Sequence, residues 1–505
     1  MMKFFSTLLL LGFVLASSAQ DTRNKIEFEE YDLDNGLHVI LHEDHSTPVV
    51  AVTISYKVGS KNETVGLTGF AHFFEHLMFE GTTNIERHSF DKYVENAGGT
   101  LNANTSQDRT FYYELLPSNQ LELGLWLESE RLLHAKVEDI GIETQREVVK
   151  EEKRQRMDNQ PYGSLMYEIF KRAYKDHPYR WIPIGSMEDL DAAQEEDYIN
   201  FYRTFYVPHN ACLSIAGDIN VEKAKEWIDL YFGTIPNGDK LNIYRDKEFY
   251  SLEDFQVKYA AQLKGVESSK NFIGDWQNNM STEDFLDKYF PNASEKPHDI
   301  PRPDIKEGLL TEEIRDVVYD NIQLPAIVTA YRIPELNHPD YYAIQMLSML
   351  LSQGNSSRFN KNLVEDQEKA LFALSFPFGL EDPGVSLMMT MPNVGVEIAE
   401  LETAMDAEIK KVQDELISDE ELEKLRNMIE SDFITSNSTM AGMAESLSDY
   451  YLYNGNTNLI NTELDKYLAV TKEDIQRVAK TYFITSNRVV LHYLPKEQEG
   501  QEGQE

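Results

Sequence analysis

The sequence predicts an α+β protein built of two similar α/β sandwich (roll) domains joined by a linker. Three observations carry this. Strand-like and helix-like patterns alternate irregularly, without the strict βαβ rhythm of a doubly wound sheet. A segment near the middle of the chain recurs near its end. Between the two copies lies a charged stretch with several prolines.

The elements follow in order. Residues 1–19 read as a signal peptide: Lys3 is a positive n-region, residues 4–15 an apolar core, and Ser17-Ser18-Ala19 a cleavage site of small residues. No Cys follows it, so no lipid anchor is expected, and the mature chain should be periplasmic or secreted. Residues 30–58 read as two strands, the first carrying an Asn35-Gly36 turn signal and the second running over residues 49–56. Residues 66–79 switch to helical periodicity, and residues 101–116, rich in Thr, Phe and Tyr, read as extended. Helices are expected over residues 120–134, 142–157 and 162–174.

The repeat is specific. Residues 196–210 and 473–487, 277 positions apart, share Glu196/Glu473, Asp197/Asp474, Thr204/Thr481 and Asn210/Asn487. Each copy reads as a helix followed by an apolar strand. The expected organisation is an N-terminal domain at 20–240, a linker with a small helical insertion at 241–307, a C-terminal domain at 308–495 and a disordered tail at 496–505. Within the linker, helices are expected near residues 252–263 and 282–289, and Pro301-Arg302-Pro303 should be extended.

Composition removes several functions. The chain has 505 residues, enough for about two to four domains. Its 86 acidic against 47 basic residues give a formal net charge of −39. A surface so acidic repels phosphate, which argues against nucleic-acid binding. The lone Cys212 excludes a disulfide scaffold. No stretch after the signal peptide approaches a membrane span, so no anchor is expected in the mature form.

The chemistry lies in Ala71-His72-Phe73-Phe74-Glu75-His76-Leu77. On a helix, positions i and i+4 share a face, so His72 and His76 reach one metal ion. Imidazole nitrogens suit Zn²⁺, which takes three protein ligands and a water at catalytic sites. Glu75 sits beside the pair, suited to act as general base on zinc-bound water as it attacks a carbonyl. This His-x-x-Glu-His order is the inverted metalloprotease motif. It should arise by chance roughly 0.03 times in a chain of this size. A third ligand is needed, and the charged helix near residue 150 offers Glu147, Glu151 and Glu152.

The segments HFFEHLMFEGT, GGTLNANTSQDRTFYYE, QREVVKEEKRQ and HPYRWIPIGSMEDL together resemble the insulinase/pitrilysin family of zinc peptidases. The similarity is to the half-length bacterial branch, itself similar to mitochondrial processing peptidase. It covers residues 30–235 strongly and 308–435 moderately, but not 239–306. The resemblance implies one half of a clamshell peptidase. It implies a Zn²⁺ cofactor, metal ligands His72, His76 and Glu152, and Glu75 as catalytic base. It also implies that Asn102 and Ala103 line an edge strand to which a peptide or unfolded polypeptide adds as an extra strand. An acidic residue that assists catalysis in some members falls on Gln145, so that role is not carried over.

The family's half that faces the zinc supplies an Arg and a Tyr to the substrate. Here those positions fall on Val364 and on Leu371 or Phe372, none of which donates a side-chain hydrogen bond. The resemblance therefore implies a heterodimer with a zinc-less homologous subunit, with a homodimer as the alternative. The activity implied is a zinc metalloendopeptidase working in an enclosed chamber. The competing reading is an assembly or binding subunit on the same fold with little activity alone; a further one is a metal-dependent hydrolase of a non-peptide substrate.

Overall fold

A computed structural model of the chain describes residues 25–266, 269–278 and 280–496. The expected signal peptide, residues 1–19, lies outside these residues, as does the tail beyond Lys496. The first sheet contains β1 (Glu29–Asp32), β2 (His38–Glu43), β3 (Val49–Tyr56), β4 (Thr100–Thr105), β5 (Thr110–Pro117) and β6 (Ala211–Gly217). Their spatial order is β1-β2-β6-β3-β5-β4. The second contains β7 (Ile314–Asp320), β8 (Ala326–Arg332), β9 (Ala370–Phe378), β10 (Val385–Pro392) and β11 (Arg488–Pro495), in the order β7-β11-β8-β10-β9.

The two orders superimpose once β1 is removed. β2 and β6 run parallel, as do β7 and β11. Every other neighbouring pair is antiparallel in both sheets. The internal duplication is therefore expressed strand for strand. The helix Glu195–Phe205 corresponds to Lys472–Tyr482, shifted by the same 277 positions as the sequence repeat.

The retained asparagines have a physical reason. Asn210 Nδ2 donates to Phe205 O at 2.8 Å, and Asn487 Nδ2 donates to Tyr482 O at 2.7 Å. Each Oδ1 in turn accepts from the segment entering the next unit, from Arg302 Nη2 at 2.6 Å or from Leu310 N at 2.9 Å. One amide thus ties a helix end to the strand that follows and to a passing chain.

Residues 30–58 contain three strands rather than two. The Asn35-Gly36 turn, with Gly36 at φ 84°, joins β1 to β2 as a hairpin. The sequence Glu29-Glu30-Tyr31-Asp32 conceals β1 because an exposed edge strand carries charge. β3 and β6, by contrast, carry no charge and are buried along almost their whole length, because both of their faces are covered.

That covering is reciprocal between the halves. The helix Met440–Asn454 of the second half places Ala444 and Leu447 against Ile40, Ala51, Cys212 and Ala216 of the first sheet. The helix Leu165–Ala173 of the first half places Ile169 and Phe170 against Val328, Val489 and Leu491 of the second. Between the halves, the helices Leu252–Lys258, Lys270–Gln277 and Thr282–Tyr289 gather around buried Phe255, Phe272 and Phe285. A further helix, Gly238–Phe249, runs through residue 240, and its Leu241 belongs to the first core. The charged pattern of that helix hides it in the sequence. Pro301-Arg302-Pro303 lies in neither helix nor strand.

Candidate active site

Four helices of the first half complete its frame: α1 (Phe70–Leu77), α2 (Phe90–Asn96), α3 (Leu121–His134) and α4 (Asp139–Lys153). α1 follows β3 and stands beside the edge strand β4. Its Phe70, Phe73 and Phe74 stack among Tyr198, Phe201, Tyr202 and Tyr206. With that face locked into the core, His72, Glu75 and His76 share the opposite face.

α4 is mostly charged, and its buried positions include Ile142, Arg146 and Val149. Glu152, one turn after Val149, is brought to α1. Its Oε2 lies 3.1 Å from His76 Nε2 and 3.4 Å from His72 Nε2. A tetrahedral zinc with bonds of about 2.0–2.1 Å holds its ligand atoms roughly 3.3 Å apart, so these separations fit that ion. Among the described residues this is the one trio of His, Cys, Asp or Glu with ligand atoms so close, all within 4.8 Å. Glu147 and Glu151 are exposed and pair instead with Lys150 and Arg154.

The electrostatics suit a cation. Burial, reinforced by the charge of His76, pushes His72 down to about 4, so its imidazole is neutral at pH 7 and its nitrogen free to ligate. Burial alone would raise Glu152. The His76 hydrogen bond and the charges of His72, His76 and Arg156 outweigh it and hold the carboxyl below its ordinary range. Arg156 Nη1 takes the other oxygen, Oε1, at 2.7 Å, leaving Oε2 to face the histidines.

Glu75 stands apart from the trio. Its Oε2 accepts from Thr105 Oγ1 at 2.6 Å, at the end of β4. Burial raises its pKa, and the Thr105 bond opposes the rise. Gln145 donates Nε2 to Glu80 Oε1 at 2.7 Å, a brace between α4 and the exit of α1. The motif itself gives no sign of Thr105, Arg156 or Glu80, whose places are set by packing between distant segments.

Asn102 and Ala103 sit on β4, opposite Tyr113 and Tyr112 of β5, and β4 ends the sheet with its other edge unpaired. Asn102 Oδ1 accepts from the Ala103 N–H at 2.9 Å. Both line a cleft of about 840 Å³ together with His72, Glu75, His76 and Glu152. Val364, Leu371 and Phe372 lie in the second half, Leu371 and Phe372 on its edge strand β9. None is among the residues lining this cleft.

A duplicated α/β sandwich with an inverted His-x-x-Glu-His helix beside one sheet edge defines a metallopeptidase-type half-clamshell. Residues 38–186 match the insulinase family (peptidase family M16), and residues 192–429 match the peptidase M16 inactive domain. The zinc protease PqqE of Helicobacter pylori is 30% identical over 502 residues, 98% of this chain and 100% of that protein. The crystal structure of a protease from Helicobacter pylori superimposes with a TM-score of 0.78 at 28% identity, covering 94% of this chain and 100% of that one. The periplasmic protease PqqL from Escherichia coli shares the fold at a TM-score of 0.66 and 17% identity; 93% of this chain covers 48% of that one. The chain belongs to the insulinase family, peptidase family M16, in its half-length form.

Proposed function

We propose that the protein is a zinc-dependent endopeptidase that hydrolyses peptides or unfolded polypeptides, with His72, His76 and Glu152 as metal ligands and Glu75 as general base. The observation that carries this reading is the convergence of two imidazole nitrogens and one carboxylate oxygen beside an unpaired strand edge, with a second carboxylate close by but turned aside. Zinc, when bound, would supply Lewis acidity, polarising a peptide carbonyl and acidifying water. Glu75 takes the proton of the attacking water at its carboxylate and returns it to the leaving amine. Thr105 fixes the rotamer of Glu75 for that task. β4 receives the substrate as an added strand, aligned past Asn102 and Ala103 by main-chain hydrogen bonds.

The partner follows from what the cleft lacks. Its lining carries the trio, the base and the edge strand, and no residue of the second half. PqqL is about twice as long, and this chain matches 48% of it; here a second subunit would supply a facing half. A zinc-less relative is the partner we favour over a second copy, because Val364, Leu371 and Phe372 offer no side-chain donor. The setting we propose is the periplasm or the cell exterior, on the signal peptide and the periplasmic relative. No helix among the described residues is long and apolar enough to cross a membrane.

The test is hydrolysis of casein or a fluorogenic peptide by the purified chain, alone and with the candidate partner, before and after chelation. Chelator-sensitive turnover that rises with the partner supports the reading. No turnover under any condition supports a silent binding subunit instead.

A further inference from the structure

α1 is only eight residues long, and a helix this short is marginal on its own. It has no cap of its own. Its N-cap is Gly69, at φ 94°, which has no side chain to accept the free N–H groups of the first turn. Yet two ligand-bearing histidines must leave this helix in one fixed direction. Two buried ionisable side chains outside the motif hold its ends.

At the amino end stands Glu63. Its Oε2 accepts from Gly69 N at 2.9 Å and its Oε1 from Ala71 N at 2.8 Å. Burial pushes this carboxyl well above its ordinary range, and the two N–H bonds only partly oppose the rise. Each carboxyl oxygen accepts one of the free N–H groups at the start of α1, the donors that Gly69 cannot satisfy itself. At the carboxyl end stands Arg131, fully buried on α3. Its Nη1 donates to Met78 O, the C-cap carbonyl of α1, at 2.9 Å. Its guanidinium lies against the rings of Phe79, Phe90 and Tyr112, and its Nε pairs with Glu128 Oε2 at 3.0 Å. Glu128 compensates the charge while the fork keeps its grip on the helix end.

We propose that Glu63 and Arg131 are positioning residues that clamp α1 at both ends and so hold His72 and His76 in their ligating geometry before any metal arrives. The inference rests on the reading of α1 as the metal-binding helix, but the clamp itself involves no metal. A buried carboxyl and a buried guanidinium cost desolvation, which two aligned backbone bonds and one carbonyl bond offset only in this arrangement. The return is preorganisation: the ligands need not be ordered when the ion binds.

Two measurements test this. In the first, backbone hydrogen exchange of the zinc-free, full-length chain is followed over residues 69–79. The clamp predicts protection comparable to that of β3, changing little when zinc is added. Exchange of an unfolded segment, protected only after zinc, would overturn the proposal even in the absence of any variant. In the second, zinc affinity is measured by chelator competition for Glu63→Gln, Glu63→Asp and Arg332→Met. Gln can accept with only one of its two terminal atoms, so the folded Glu63→Gln protein should bind zinc roughly 10–100-fold more weakly. Asp keeps both oxygens and should recover part of that loss. Arg332→Met removes a guanidinium equally buried in the second half and should lower the melting temperature without changing zinc affinity. Wild-type zinc affinity in Glu63→Gln would contradict the clamp. If the wild type takes up no zinc at all, the functional reading fails, and hydrogen exchange still decides the clamp.

Discussion

Glu75 is next to His76, a proposed ligand, in sequence, but its carboxylate is bonded elsewhere. Its carboxylate turns to Thr105, while Glu152 faces the two imidazoles. The account therefore predicts a dissociation of roles. Glu75→Gln should retain zinc, read by metal analysis, and lose roughly 10²–10⁴-fold in turnover. Near-normal hydrolysis by this variant would contradict the assignment of the base. The three motif residues were legible in the sequence because their spacing is local: i, i+3 and i+4 share a helix face whatever the tertiary fold. Glu152 was not, since 76 residues separate it from His76 and two neighbouring glutamates carry the same chemistry. Resemblance to a family chose it over Glu151. The structure adds the local reason: Glu151 is exposed, and Glu152 lies one turn from buried Val149 on the side that meets α1.

At the scale of elements, the duplication was visible through residues that do the same work twice. Asn210 and Asn487 each bind a helix end and an incoming chain. Replacing either with Ala leaves buried carbonyls without a donor, at a cost of about 1–3 kcal/mol, and urea unfolding should show similar losses for both. A loss at only one site would mean that the retained residues are coincidental. Elements that escaped the sequence did so for a common reason. β1 and the helix Gly238–Phe249 carry charge where a burial pattern is sought: the first is an exposed edge, and the second packs through scattered positions such as Leu241 and Ile243. The second half's counterpart of α1, the helix Asp340–Ser352, follows β8 as α1 follows β3; it has no His or Glu and packs into the second core.

At the scale of the molecule, the halves are joined by buried charge. Lys61 pairs with Asp108 at 2.9 Å, and with Glu381 and Asp382 of the β9–β10 turn. Arg109, next to Asp108, reaches across to Glu445 and Asp449, the latter at 3.1 Å. Burial pushes Asp449 up to about 6 from 3.8; the Arg109 charge opposes this and Glu445 adds to it. An acid whose pKa is raised on folding keeps its proton longer in the native state, so stability should fall as pH rises from about 4 to about 6. Asp449→Asn should flatten that part of the profile, read as urea midpoint against pH. An unchanged slope would place the titration elsewhere. The proposed partner and substrate rest on family resemblance alone, because both depend on surfaces that no local spacing encodes.

The central claim is the metal centre. Zinc per chain should be measured by elemental analysis after dialysis for the wild type, His76→Ala, Glu152→Gln and Glu151→Gln. The account predicts one zinc in the wild type and in Glu151→Gln, and none in His76→Ala or Glu152→Gln. Stoichiometric zinc in either of the last two, or its loss in Glu151→Gln, would contradict it.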